Sequence, residues 1–136
     1  MQLKNKKIFR TIFYDRHTAL KAKMVEFGGW NMPLCYSSGI FREHLMTRKK
    51  AGIFDVSHMG RFIFSGRDAL PFLQHVLSNN AAALEVGESQ YTIITDIRGG
   101  AIDDAYLYRF VEDEYLLVVN AANREKDWDY FQSFLS

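Results

Sequence analysis

Between Gln90 and Val119 three strand-length runs are separated by two short polar turns, and no other stretch restricts the fold as much. Gln90 to Asp96, Ala101 to Phe110 and Tyr115 to Val119 read as strands, joined by Ile97–Gly100 with its two glycines and by Glu112–Glu114. Connections this short join antiparallel neighbours, because a parallel pair needs a long crossover. The last run is apolar at every position, the pattern expected of a strand covered on both faces.

Helical patterns flank this meander. Asp15 to Val25 reads as a first helix, followed by a Gly28-Gly29 break and an extended piece, Trp30 to Tyr36. A second helix is predicted over Ser38 to Ala51. There Ile40, Phe41, Leu45 and Met46 share a face, the last turn is basic, and Gly52 supplies a stop. Arg61 to Ser65 reads as a strand with Phe62 and Phe64 on one face. A third helix, Ala69 to Ser78, is capped by Ser65 or Asp68 and buries Leu70, Leu73, Val76 and Leu77. Pro71 falls in its first turn, and Asn79-Asn80 ends it.

Asn120 or Asn123 is expected to cap a final helix, with Trp128, Phe131, Phe134 and Leu135 at helical spacing to the end of the sequence. That stripe leads us to expect architecture continuing past residue 136. Strands and helices in separate runs predict an α+β fold, an antiparallel sheet with flanking helices. Neither a repeat nor a low-complexity linker interrupts the chain, so 1–136 reads as one continuous domain.

Seventeen Lys and Arg balance sixteen Asp and Glu, without the basic excess of a nucleic-acid binder, so neither nucleic acid nor a membrane surface is expected as partner. Apolar runs such as Leu116–Val119 are far too short to span a bilayer. Cys35 is the single cysteine, which fits a reducing compartment and a packing role. Met1 to Arg10 is basic but lacks the apolar core and cleavage site of a secretory signal, so the expected location is cytoplasmic.

Candidate chemistry concentrates in Gly99 to Tyr108. Neighbours on a strand point to opposite faces, so Asp104, Tyr106 and Tyr108 share one face while Asp103, Ala105 and Leu107 share the other. A carboxylate in line with two phenols can floor a site for a planar, hydrogen-bonding ligand. The plainer reading makes both acids polar residues near a strand end, with the tyrosines exposed beside them. Phe54 to Gly60 (FDVSHMG) is a second candidate, lying between a helix stop and a strand. His58 there can act as base or ligand, or simply tie the loop by hydrogen bonds. His17, His44, His58 and His75 show no metal-ligand spacing with Cys35 or a carboxylate, and no metal site is expected. Gly99-Gly100 lacks the Lys-Ser/Thr of a phosphate loop and reads as a turn. Asn120 can cap a helix and still present an amide edge to a ligand.

Several of these segments, taken together, resemble one family. Tyr14-Asp15-Arg16-His17, Lys23 to Pro33, FDVSHMG at 54–60, Gln90-Tyr91-Thr92, Gly99 to Asp104, and Val118 to Asn123 with Lys126-Asp127-Trp128 are similar, in order and spacing, to the opening of glycine cleavage system T-proteins. The resemblance implies the amino-terminal part of a folate-binding T-protein fold. It also implies an aminomethyltransferase, which takes the one-carbon unit from the aminomethyl-lipoyl arm of the H-protein, passes it to tetrahydrofolate and releases ammonia.

By the same resemblance Asp104 is the catalytic carboxylate, and Met59, Tyr91, Asp104, Tyr106, Tyr108 and Asn120 contact folate. Tyr106 departs from the aliphatic residue more usual there, a change that narrows the pocket. Expected partners are tetrahydrofolate, the lipoyl group of the lipoylated H-protein and the carboxy-terminal portion of a longer, three-domain enzyme. Without that portion the isolated chain is expected to be inactive. In a eukaryote the location becomes the mitochondrial matrix. A non-catalytic folate-binding or scaffold module, like the related proteins of iron–sulfur cluster maintenance, is the alternative. A structural remnant that only packs against the missing portion is a third reading.

Overall fold

The computed structural model describes residues 8–134. Its contacts divide the chain into two compact units, one ending at His58 and one beginning at Met59, where the sequence reads as one continuous domain.

In the first unit a three-stranded sheet has the order β1-β3-β2, formed by β1 (Phe9–Arg10), β2 (Lys23–Phe27) and β3 (Trp30–Cys35). β1 runs parallel to β3 and β2 antiparallel to it. The expected first helix is much shorter than its pattern: α1 covers Tyr14–Ala19, and Lys21, at φ 56°, turns the chain away. The stretch through Val25 that was expected to be helical is instead the strand β2. It pairs with β3 across Gly28-Gly29, whose φ angles of 56° and 86° suit a tight hairpin turn. Strand pairing here overrides helical periodicity. α2 (Ile40–Lys49) forms where predicted, but Ile40 and Phe41 are 58% and 76% exposed, so its apolar face is not buried within the described residues.

In the second unit a four-stranded antiparallel sheet has the order β4-β7-β6-β5. The strands are β4 (Gly60–Ser65), β5 (Ser89–Thr95), β6 (Ala101–Val111) and β7 (Glu114–Val119). One face is the core. Leu107, Leu117, Tyr115, Val119 and Ile94 are fully buried against α3 (Ala69–Val76) and α4 (Arg124–Gln132), with Leu73, Val76 and Phe131 supplied by the helices. At about 25 cal/mol per Å² of apolar area, each such side chain is worth roughly 1.5–3 kcal/mol.

β7 is not covered on both faces as its composition predicts. Tyr115, Leu117 and Val119 are buried while Leu116 and Val118 are only half-buried. Its central place in the sheet satisfies its hydrogen bonds, and the alternation marks only one face as core. Phe62 stacks on the half-exposed Trp128 (5.7 Å) and meets Phe131 edge-on (5.6 Å), which ties β4 to α4. α4 ends at Gln132; Leu135, placed on its stripe by spacing, lies outside the described residues, as do the basic residues of positions 1–7.

Candidate functional site

The face of the second sheet opposite its core holds the predicted site residues. β5 and β6 pair with Tyr91 opposite Tyr106, Ile93 opposite Asp104 and Ser89 opposite Tyr108. Asp103 pairs with Ile94 and lies on the buried side at 7% exposure, whereas Asp104 is exposed. The pleat therefore separates the two adjacent acids as the alternation requires.

Along β6 the aromatic rings form a ladder. Tyr106 and Tyr108 have centroids 5.2 Å apart, and Tyr108 stacks on Phe110 at 6.0 Å and 17°. Phe110 continues the line beyond the two predicted tyrosines; its position in the same alternation was the signal in the sequence. Tyr91 and Tyr106 are 55% and 40% exposed, so the ladder presents ring faces and phenols on an open sheet surface. Hollows of about 360 and 390 Å³ lie elsewhere, along β4 and α4, lined by residues including Phe62, Phe64, Phe72, Trp128 and Phe131.

Asn120 closes one end of this face. Its side-chain Nδ2 donates to Asp104 Oδ1 at 2.9 Å and to Asp103 Oδ1 at 3.0 Å, while its backbone N–H donates to Asp103 Oδ2 at 3.1 Å. The expected helix cap is not what this residue or Asn123 provides. Asn123 occupies the N-cap position of α4 without a side-chain capping bond and donates its amide to Asp103 Oδ1 at 2.6 Å instead. The ionised acceptor makes these amide hydrogen bonds strong, and α4 begins without a side-chain cap.

Met59 immediately precedes Gly60, which pairs with Val119, the residue before Asn120. Met59, Asn120 and Asp104 thus gather at one end of three adjacent strands, with Met59 half-buried. Tyr91 lies on the same face as Asp104; desolvation, then the nearby carboxylate, raise its phenol above the usual range, so it stays protonated.

The arrangement has definite chemical capacities. It offers stacked ring faces, phenol and amide donors, and a carboxylate held by Asn120, which suits a planar heterocycle with N–H edges. A metal is not suggested, since among the described residues no group of three or more His, Cys, Asp or Glu is placed to hold one. Nor, among those residues, is any helix long and apolar enough to cross a membrane.

FDVSHMG does not act as one unit. Asp55 belongs to the first unit, where its Oδ2 lies 2.9 Å from His17 Nε2, and His17 Nδ1 lies 2.7 Å from the Tyr36 hydroxyl. Sequence reasoning passed over Asp55 and His17, 38 residues apart, because nothing in their spacing couples them. The ring of His58 meets that of Phe27 edge-on at 6.0 Å.

Known proteins similar to this chain identify its family. The family described as GCVT N-terminal domain matches residues 13–136. An aminomethyltransferase of Thermus thermophilus is 50% identical over 124 residues, 91% of this chain and 35% of the relative. One from Phocaeicola vulgatus is 54% identical over 120 residues, 88% of this chain and 33% of the relative. The crystal structure of glycine cleavage system aminomethyltransferase T from Bartonella henselae superimposes with a TM-score of 0.88 at 38% identity. It covers 93% of this chain and 35% of that one. The chain therefore spans about a third of the length of the relatives it matches. With a family match across nearly its whole length and a shared α+β architecture, this chain belongs to the GCVT N-terminal domain family and corresponds to the amino-terminal portion of a glycine cleavage T-protein.

Proposed function

We propose that this chain supplies one wall of a tetrahydrofolate site in an aminomethyltransferase completed by further segments. The complete enzyme would accept the aminomethyl group carried on the lipoyl arm of the H-protein, transfer its one-carbon unit to tetrahydrofolate and release ammonia. What supports this most directly is the common face of Asp104, Tyr91, Tyr106 and Tyr108, with Asp104 gripped by Asn120. The aminomethyltransferase relatives point the same way.

The residues present fit a reduced pterin. Tyr106 and Tyr108 offer ring faces for a planar group, and Met59 adds a polarizable thioether at the end of the face. Tetrahydrofolate supplies the nucleophilic nitrogen that receives the one-carbon unit. Asp104 would orient that nitrogen by accepting its N–H and hold negative charge beside the centre where an amine departs. Asn120 fixes the carboxylate while it does so, by donating to Oδ1. By the resemblance to T-proteins an aliphatic residue is more usual where Tyr106 stands, and its bulk would narrow the pocket.

Such an enzyme would work in the cytoplasm of a bacterium or the matrix of a mitochondrion. The deciding experiment is calorimetric titration of tetrahydrofolate into this chain, alone and mixed with the complementary carboxy-terminal portion. Binding in the mixture, weakened but not abolished by Asp104→Ala, is expected. Indifference of the mixture to tetrahydrofolate would remove the proposal, and binding without transfer would favour a non-catalytic folate-binding module.

A further inference from the structure

Two buried acids stand behind the candidate site on the core side of the sheet, and the folate reading uses neither. Asp103 on β6 is 7% exposed and Asp127 on α4 is 0% exposed. Three donors converge on Asp103: the backbone and side-chain N–H of Asn120 and the side-chain amide of Asn123. Asp127 has no such partners. Neither of its oxygens meets a donor, and the polar group its carboxyl faces is Asp103.

Two carboxyls so placed share one proton, because burying both as anions is too costly. Burial acts first, then the charge of Asp103 and the hydrogen bond to it, and together they push the Asp127 carboxyl up to about 7. Burial would raise Asp103 as well, but the amides of Asn120 and Asn123 outweigh it and hold that group below its usual value. The proton therefore sits on Asp127, which donates, and the charge sits on Asp103.

The pleat prevents Asp103 from touching the side chain of Asp104 on the opposite face. Asn120, at the end of the sheet, reaches round to both: the same Nδ2 donates to Asp103 Oδ1 and to Asp104 Oδ1. We propose that Asp103 and Asp127 are positioning residues for Asp104, a hydrogen-bonded pair beneath the sheet that fixes the Asn120 amide and, through it, the carboxylate on the open face. This deepens the folate reading and rests on it for the importance of Asp104, but the coupling itself needs no folate. The charged groups facing Asp127 are Asp103 from β6 and Lys126 from its own helix. The Lys126 ammonium donates to the Ile102 carbonyl at 2.7 Å and opposes the rise.

The test is nuclear magnetic resonance on the full chain. Three-bond couplings from Asp104 Cγ to its backbone nitrogen and carbonyl report the Asp104 rotamer, and side-chain amide signals report Asn120 and Asn123. The parent should hold Asp104 in one rotamer, and both amides should move with a common midpoint near pH 7. Asp127→Asn retains a donor toward Asp103, so the rotamer should persist while the midpoint vanishes. Asp103→Asn lacks the second acceptor oxygen, and the Asp104 couplings should fall to rotamer-averaged values. If Asp103→Asn loses its sheet-like amide dispersion, Asn120→Ala decides instead, since it removes the bridge without touching the core.

An Asp104 rotamer unmoved in a folded Asp103→Asn or Asn120→Ala chain overturns the proposal, as does a midpoint surviving Asp127→Asn. Tetrahydrofolate titration separates the two ideas. Intact coupling in a chain indifferent to folate, even with its complement, sinks the folate reading alone. Folate binding with no coupling sinks the positioning proposal alone.

Discussion

Tyr91 and Asp104 interact electrostatically across the open face although the two are not cross-strand partners: Tyr91 lies opposite Tyr106, and Asp104 lies opposite Ile93. The contact is diagonal, a separation that a long aromatic side chain can bridge. Asp104 is held by Asn120 from the end of β7, and the Tyr91 phenol lies near it on β5. A carboxylate restrained in this way loses less rotamer entropy when a ligand N–H arrives.

Removing the charge at this point while keeping its shape should separate chemistry from binding. In the completed enzyme Asp104→Asn is expected to lower turnover by about 100-fold or more, with tetrahydrofolate affinity changed only a few-fold. Tyr91→Phe removes the phenol beside Asp104 but leaves the Asn120 grip, so its turnover should fall only a few-fold. Steady-state kinetics beside equilibrium titration checks both. Equal turnover in Asp104→Asn and parent would contradict the assignment.

The meander was legible because its two turns are short and its strands alternate, so register followed from length and placed Asp104, Tyr106 and Tyr108 together. β2 was not legible. Lys23 to Phe27 continues a helical pattern locally, and only pairing with β3 across Gly28-Gly29 makes it a strand. The roles of Asn120 and Asn123 were not legible for a related reason: each precedes a helix, and the buried carboxylate that engages their amides is some twenty residues back in the chain. Asp127 was hidden by its place in a charged stretch, where an acid normally faces water.

His17 and Asp55 form the polar anchor of the first unit, with side chains 9% and 4% exposed. Burial alone would raise the Asp55 carboxyl, but hydrogen bonds, that of His17 foremost, outweigh it and hold the group well below the usual range. A lowered carboxyl contributes stability above its unfolded value and loses it as pH falls. Below about pH 4 this contribution should therefore fade, and Asp55→Ala should cost about 2–4 kcal/mol at pH 7. Fluorescence of Trp30 in a Trp128→Phe background reads the first unit during urea unfolding. An unchanged midpoint in Asp55→Ala would refute the anchor.

Gly60 is required by its neighbours rather than by its backbone angle. A Cβ there would lie 2.6 Å from Val119 Cγ2 and 2.8 Å from Arg124 Cγ. The arginine stem can swing aside, but Val119 is fully buried and cannot. Gly60→Ala should cost about 1–3 kcal/mol, a loss visible as a lower denaturant midpoint with an unchanged slope. Gly60→Ala combined with Val119→Ala should recover part of that loss relative to Val119→Ala alone, because the clash is then gone. Strict additivity of the two costs would place the strain elsewhere.

The buried acid pair should leave a signature in stability as well as in spectra. Asp127 binds its proton more tightly folded than unfolded, so its contribution is full below the ordinary carboxylate value and declines as pH rises toward about 7. Asp103 acts in the opposite sense: its lowered value gives stability above the unfolded carboxylate range that is lost as pH falls. Together they favour the singly protonated pair, and the second unit should be most stable in mildly acidic solution, losing stability toward neutrality. Asp127→Asn keeps the donor and removes the titration, so its thermal midpoint should stay level between pH 5 and about pH 8 while that of the parent drops by roughly 5 °C or more. Parallel curves for the two proteins across that interval would show that the proton is not held at Asp127.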